Sequence, residues 1–175
     1  MKSVLISIQP RWCELIASGK KTVEVRKTRP KLDTPFKAYI YETKGKKQYF
    51  SQPMPIPYNE GKGKVIGEFV CDKIYPIKVE SDIAIINWSY FGLKRSCLSL
   101  DELAKYIGIN KTGYGWHISD LVIYDEPKEL SEFHIAGCKG CKNKETYGCK
   151  FHCVGKRRIK RPPQSWCYVE EGGAE

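Results

Sequence analysis

Gly19-Lys20-Lys21-Thr22-Val23-Glu24-Val25-Arg26 decides how the first half of this chain is read. Thr22, Glu24 and Arg26 alternate with Val23 and Val25, the period of a β-strand. The alternation predicts that the two valines face a core. Thr22, Glu24 and Arg26 then share the other face. Upstream, Val4-Leu5-Ile6-Ser7-Ile8 reads as a strand and Gln9 to Gly19 as a short helix. Pro10 suits the first helical turn and Gly19 the residue past its end. Any chemistry is expected where this helix hands over to the second strand.

Working outward, Phe36–Tyr41 reads as a third strand, and Lys44–Lys47 as a loop tip. Residues 49–63 hold Pro53, Pro55, Pro57, Gly61 and Gly63 and read as a loop. Gly63 to Ile74 reads as one long central strand, and Ser81 to Tyr90 as an irregular helix. Ser99-Leu100-Asp101-Glu102 is a capping box opening a helix that Gly108 stops. Leu121–Tyr124 and Trp166–Val169 read as late strands, with a frayed tail from Glu170 to Glu175. Five or six short strands with two or three short helices place the chain in the α+β class and suggest a small mixed barrel.

A chain of 175 residues, 41% hydrophobic, fits a single domain spanning 1–175 with a real core. Its longest apolar run, Ile83–Ile86, is far too short to span a membrane, and no signal-peptide core opens the chain. A soluble, intracellular, cytoplasmic protein is expected, with no membrane partner. The formal net charge is +10. It is concentrated in two stretches. Residues 138–163 hold nine Lys or Arg against Glu145, and residues 19–47 hold ten against Glu24, Asp33 and Glu42. The rest of the chain is net acidic. Two basic clusters with interleaved aromatics point to a polyanion, although lysines that merely solvate the surface would look similar.

In an intracellular protein the eight cysteines read as thiols or metal ligands rather than disulfides. Cys138, Cys141, Cys149 and Cys153 form C-x2-C-x7-C-x3-C, two close pairs able to offer four thiolates to one structural Zn²⁺. His134 and His152 are alternates, and free thiols or a disulfide pair are the competing readings. The basic tract Lys156-Arg157-Arg158-Ile159-Lys160-Arg161 follows, so residues 134–161 read as a Cys-rich basic insertion. Cys13, Cys71, Cys97 and Cys167 lie in apolar contexts and are expected to be buried.

The order strand, Gln-Pro, short helix, then Gly19-x-Lys21-x-x-Glu24-x-Arg26 resembles the ASCH domain, a branch of the PUA-like β-barrels. Gly67-Glu68-Phe69, Tyr114-Gly115-Trp116-His117-Ile118 and Pro162-Pro163-Gln164-Ser165-Trp166-Cys167-Tyr168 extend the resemblance over most of the chain, while residues 137–161 fall outside the family pattern. The resemblance implies a PUA-like barrel and a cleft for a nucleotide or RNA. Lys21, Glu24, Arg26 and Trp116 are the expected ligand residues there, and Lys156, Arg157 and Arg158 the expected backbone contacts. Trp12, Tyr114 and His117 are further flat surfaces. RNA is the first choice of partner, then DNA; the oligomeric state stays open.

Two other functions are carried beside binding. One is an enzyme acting on a nucleoside or RNA, with Lys21, Glu24, Glu68 and His117 as candidate catalytic residues. A related branch hydrolyses the amide of an acetylated cytidine, and other members have been proposed to cleave RNA. The cytidine enzymes share Lys21 but carry threonine where this chain has Glu24, which removes their hydroxyl nucleophile. The other is a protein–protein adaptor. For Glu24 and Arg26 alone, the simplest reading is a solvated strand face with a surface ion pair, worth ~0–1 kcal/mol.

Overall fold

The computed structural model describes residues 2–45, 61–80, 85–86, 90–136 and 158–171. Among the described residues, ten strands and three α-helices follow in chain order: β1 Ser3–Ile8, α1 Pro10–Ala17, β2 Val23–Arg26, β3 Phe36–Glu42, β4 Val65–Cys71, β5 Ile74–Glu80, β6 Ile85–Ile86, α2 Tyr90–Ser96, α3 Leu100–Ile107, β7 Lys111–His117, β8 Ser119–Lys128, β9 Phe133–Ile135 and β10 Trp166–Glu171. The strands form a six-stranded sheet, ordered β8-β4-β3-β1-β10-β9, and a four-stranded sheet, ordered β2-β7-β5-β6. The α+β class holds. The expected closed barrel is not seen among the described residues. Closure needs paired edges, and here β8 and β9 edge one sheet while β2 and β6 edge the other.

By its contacts the chain divides into two compact units, each assembled from separate stretches. The first comprises Met1–Pro10, Ala38–Gly67 and Tyr124–Glu175; the second comprises Arg11–Lys37 and Glu68–Ile123. In the first, β1 runs parallel to β3 and antiparallel to β10. All six of its residues are buried, as befits an inner strand covered on both faces. Leu5, Tyr39, Tyr41, Val65, Phe133, Ile159 and Val169 form the core there.

In the second unit β7 is central, pairing with β2 and β5. Val25, Ile77 and Val79 pack with Leu103 and Ile107 of α3. That helix starts as expected. Ser99 accepts from the Glu102 backbone N–H (3.2 Å), and the Ser99 N–H donates to Glu102 Oε2 (2.9 Å). Gly108 ends it at φ +98°.

Three expectations about elements fail. The strand read from 63 to 74 breaks at Asp72-Lys73 into β4 and β5. Where residues 81–90 are described, they give β6 and the first residue of α2, not an irregular helix. Glu170 and Glu171 belong to β10 rather than to a tail. β7 went unread as a strand because Gly113 and Gly115 are poor strand formers. Gly113 has a packing reason: a Cβ there would lie 2.6 Å from Ile107 Cδ1 and 3.2 Å from the Arg26 carbonyl oxygen. Among the described residues β6 pairs with Val79 and Glu80 of β5.

Candidate functional site

α1 closes as the sequence requires. The Gly19 N–H donates to the Ile16 carbonyl at 2.9 Å, and Gly19 takes φ +72°, a conformation open to glycine. The Lys21 N–H then turns back onto the Leu15 carbonyl, and Thr22 N–H onto that of Arg95 at the end of α2. These bonds fix where β2 begins and aim Lys21 inward.

The strand face beyond is not solvated. All four β2 residues are buried. Lys21 is 2% exposed, Glu24 5% and Arg26 8%. Arg26 Nη2 lies 3.0 Å from Glu24 Oε1, and Lys21 Nζ 3.3 Å from Glu24 Oε2. Lys21 Nζ also donates to the Ser96 carbonyl at 2.6 Å. The surface ion pair considered above is therefore replaced by a buried network of three charges. Its energetics differ in kind, because each charge has lost water and depends on its partners. Glu24 Oε2 is buried and makes no hydrogen bond, leaving the Lys21 contact as its compensation.

Pairing with β7 sets what shares this face. Glu24 lies opposite Trp116, and Arg26 opposite Tyr114. Directly opposed residues project to the same side, so the charged pair and these aromatics share one face. Trp116 nevertheless offers no surface for stacking: it is fully buried, edge-on to Phe36 at 5.7 Å. Its expected role as a ligand contact is corrected to a core role. Trp12 on α1 is the half-buried aromatic by the network. Lys21 Nζ sits 5.0 Å from its ring centroid, and the Arg11 guanidinium covers it at 3.9 Å.

His117 lies opposite Val23, so it projects to the face away from Glu24. As a base for a substrate held at Glu24 it is on the wrong side. It instead forms a dyad with Asp72, Nδ1 to Oδ1 2.6 Å. Burial would raise the Asp72 carboxyl, but the hydrogen bond and charge of His117 outweigh it and hold that carboxyl below its ordinary range. Glu68, the fourth catalytic candidate, pairs with Lys37 at 2.7 Å. Asp72 belongs to no sequence motif, and its one signal is that Asp72-Lys73 interrupts an otherwise mostly apolar stretch. The Ser96 carbonyl carried no sequence signal at all, since a distant helix end supplies it.

Of the basic tract, Arg158 is described; Lys156 and Arg157 lie outside the described residues. So do Cys138, Cys141, Cys149 and Cys153. No cluster of three or more metal-ligating side chains occurs among the described residues. Cys13 and Cys71 are buried as expected, whereas Cys97 and Cys167 are half-buried. Burial pushes the Cys71 thiol up to about 12 and that of Cys167 to about 11. No described helix is long and apolar enough to cross a membrane.

Among solved structures, ASCH from Zymomonas mobilis is 21% identical, covers 96% of this chain and 87% of its own, and superposes with a TM-score of 0.60. Two point mutants of that protein also score 0.60 at 21% identity, covering 96–97% of this chain and 88–91% of their own. At that identity the likeness speaks for the fold alone. No curated protein matches the chain. The ASCH domain family model matches residues 6–159, which include Lys21, Glu24, Arg26, Glu68 and the whole β2–β7 pairing. On that match the chain belongs to the ASCH domain family.

Proposed function

We propose that the protein binds RNA, or a nucleotide, at the charged network of β2. The observation that carries this reading is a buried carboxylate between two cations, next to a half-buried tryptophan. Burying three charges is a poor way to stabilise a fold, which supports a use beyond stability. Trp12 takes the stacking role that Trp116 cannot. Glu24 accepts from a base edge, Arg26 donates to one, and the exposed lysines draw in the backbone. Stacking contributes about 1–3 kcal/mol per base.

The test is fluorescence-anisotropy titration of single-stranded RNA, duplex RNA and DNA at two salt concentrations. Trp12→Ala and Glu24→Gln are measured beside the unmodified chain. Salt-sensitive RNA binding that Trp12→Ala weakens roughly 5- to 150-fold, the equivalent of that stacking energy, supports the reading. Absence of binding at low salt overturns it.

One observation favours a second reading, an enzyme acting on a bound nucleoside or RNA. Glu24 Oε2 makes no hydrogen bond and lies 3.3 Å from Lys21 Nζ, an acceptor and a donor side by side. Turnover lost in Glu24→Gln with binding retained would establish it.

The cysteine spacing supports a structural Zn²⁺ held by Cys138, Cys141, Cys149 and Cys153. Four thiolates complete a tetrahedral shell and leave no open position. The described flanks of that stretch meet: His134 and Arg158 form an antiparallel bridge, and Ile159 N–H donates to the Phe133 carbonyl at 3.0 Å. One zinc per chain by elemental analysis, with four thiols titrating only after chelation, is the expected result.

A further inference from the structure

The first unit carries an open surface depression of about 390 Å³ lined by the exposed Glu129, Ser131, Arg158 and Lys160 and by Leu130 and the buried Ile159. Its walls come from distant parts of the sequence. One is the 3₁₀ turn Leu130–Glu132. Glu132 N–H closes it onto the Glu129 carbonyl (3.1 Å), and Glu129 N–H donates to Glu132 Oε1 (2.6 Å). The other is Arg158-Ile159-Lys160. Ile159 is anchored in the core, and the exposed Arg158 and Lys160 flank it.

Charge decides what the depression takes. Its lining carboxylate, Glu129, is met by Lys64 at 2.8 Å, and Glu132, which closes the turn, adds a second carboxylate beside it. Among the described residues neither Arg158 nor Lys160 has an acidic partner. Lys64, Arg158 and Lys160 against Glu129 and Glu132 leave the surroundings net positive, and the Ser131 hydroxyl adds a neutral donor. An arginine fork suits a tetrahedral oxyanion with several oxygens. With about 390 Å³ open to solvent, the depression has room for a group larger than a bare anion. Leu130 and Ile159 provide apolar surface for a body attached to the anion.

We propose that this depression is a second nucleotide subsite, taking the phosphate of a nucleoside phosphate on Arg158 and Lys160. The proposal rests on the nucleic-acid reading above and places a contact in the first unit, apart from the β2 network. The ligand is a free nucleotide or one unit of an RNA strand; both present the same phosphate.

Backbone-amide NMR of the full chain tests it, with adenosine 5′-monophosphate, adenosine, inorganic phosphate and a ten-residue oligoadenylate as probes. The amides of Leu130, Ser131 and Ile159 report. The expected result is saturable shifts with the monophosphate, far weaker ones with phosphate or adenosine alone, and at least tenfold weaker binding for each of Arg158→Ala and Lys160→Ala. Arg158→Lys should fall between, keeping the charge but losing the fork. Shifts with the oligonucleotide and none with the monophosphate would assign the subsite to a strand; the reverse would assign it to a free nucleotide. Amides unmoved by every probe, phosphate binding as well as the monophosphate, or an unchanged response in folded Arg158→Ala/Lys160→Ala would overturn the proposal. Salt-sensitive RNA binding that still depends on Trp12 would then survive it. Conversely, shifts at Ser131 with no effect of Trp12→Ala would retire the β2 reading and leave this one standing.

Discussion

Replacing Glu24 by alanine separates a buried network from a decorated surface by an unambiguous margin. The substitution leaves Lys21 at 2% exposure and Arg26 at 8% without the carboxylate both contact. Removing one partner of a buried pair costs about 3–5 kcal/mol, because the remaining charge is desolvated and uncompensated. An exposed pair would cost ~0–1 kcal/mol. In a chain of this size each kcal/mol moves the melting midpoint by roughly 2–4 °C, so the expected fall is roughly 6–20 °C. Against a total stability of about 5–15 kcal/mol, some preparations of this variant should be partly unfolded at 37 °C. Glu24→Gln keeps the shape and an acceptor while removing the charge, and should fall between. The assay is urea unfolding and thermal melting at low and high salt. A buried deficit persists in high salt because ions do not reach it, whereas a surface deficit fades. A Glu24→Ala midpoint within 3 °C of the unmodified chain, or a loss that disappears in salt, would refute the buried network and weaken the site built on it.

Three further outcomes are expected. Gly113→Ala should destabilise by about 1–3 kcal/mol, read as a lower urea midpoint, because its Cβ would lie 2.6 Å from Ile107 Cδ1 and 2.8 Å from Cγ1. Ser99→Ala should cost α3 about 0.5–2 kcal/mol, seen as faster hydrogen exchange over residues 100–107. Asp72 and Glu102 are both held below their ordinary values, Asp72 by His117 against the pull of burial and Glu102 by the Ser99 N–H and then Arg11; a lowered folded value adds stability that is present above the unfolded value and lost as pH falls through the folded one, so urea midpoints should drop below about pH 4.5, and less steeply in Asp72→Asn/Glu102→Gln.

What the sequence made legible is whatever local chemistry decides. The capping box at Ser99, the Pro10 start and the Gly19 stop each act within four residues, and all three stand in the structure. The alternation places β2 correctly, while the solvated face that Glu24 and Arg26 alone would suggest is buried. Burial on both sides depends on Trp116 and on α2, both remote from β2 in the sequence. The same distance hid the Ser96 carbonyl. β4 and β5 were joined because Asp72-Lys73 is a break without glycine or proline. β7 was missed because its glycines serve packing against α3, a need that strand propensity does not register.

Strand parity settles which candidates can act together. Residues opposed across β2 and β7 share a side, so Glu24 and Arg26 go with Trp116 and Tyr114, and His117 goes with Val23. A one-residue slip would exchange every one of these assignments. The register is pinned at both ends of the pairing. Ile118 N–H donates to the Thr22 carbonyl, and Gly113 fits where no other residue could approach Ile107 and the Arg26 carbonyl so closely. On the enzyme reading, the His117–Asp72 dyad lies on the other side from a substrate at Glu24, which leaves Glu24 as the candidate acceptor. For the enzyme reading this has a direct consequence: the rate should survive His117→Ala and vanish in Glu24→Gln. Loss of turnover in His117→Ala with the fold intact would place the chemistry on the opposite face of the sheet.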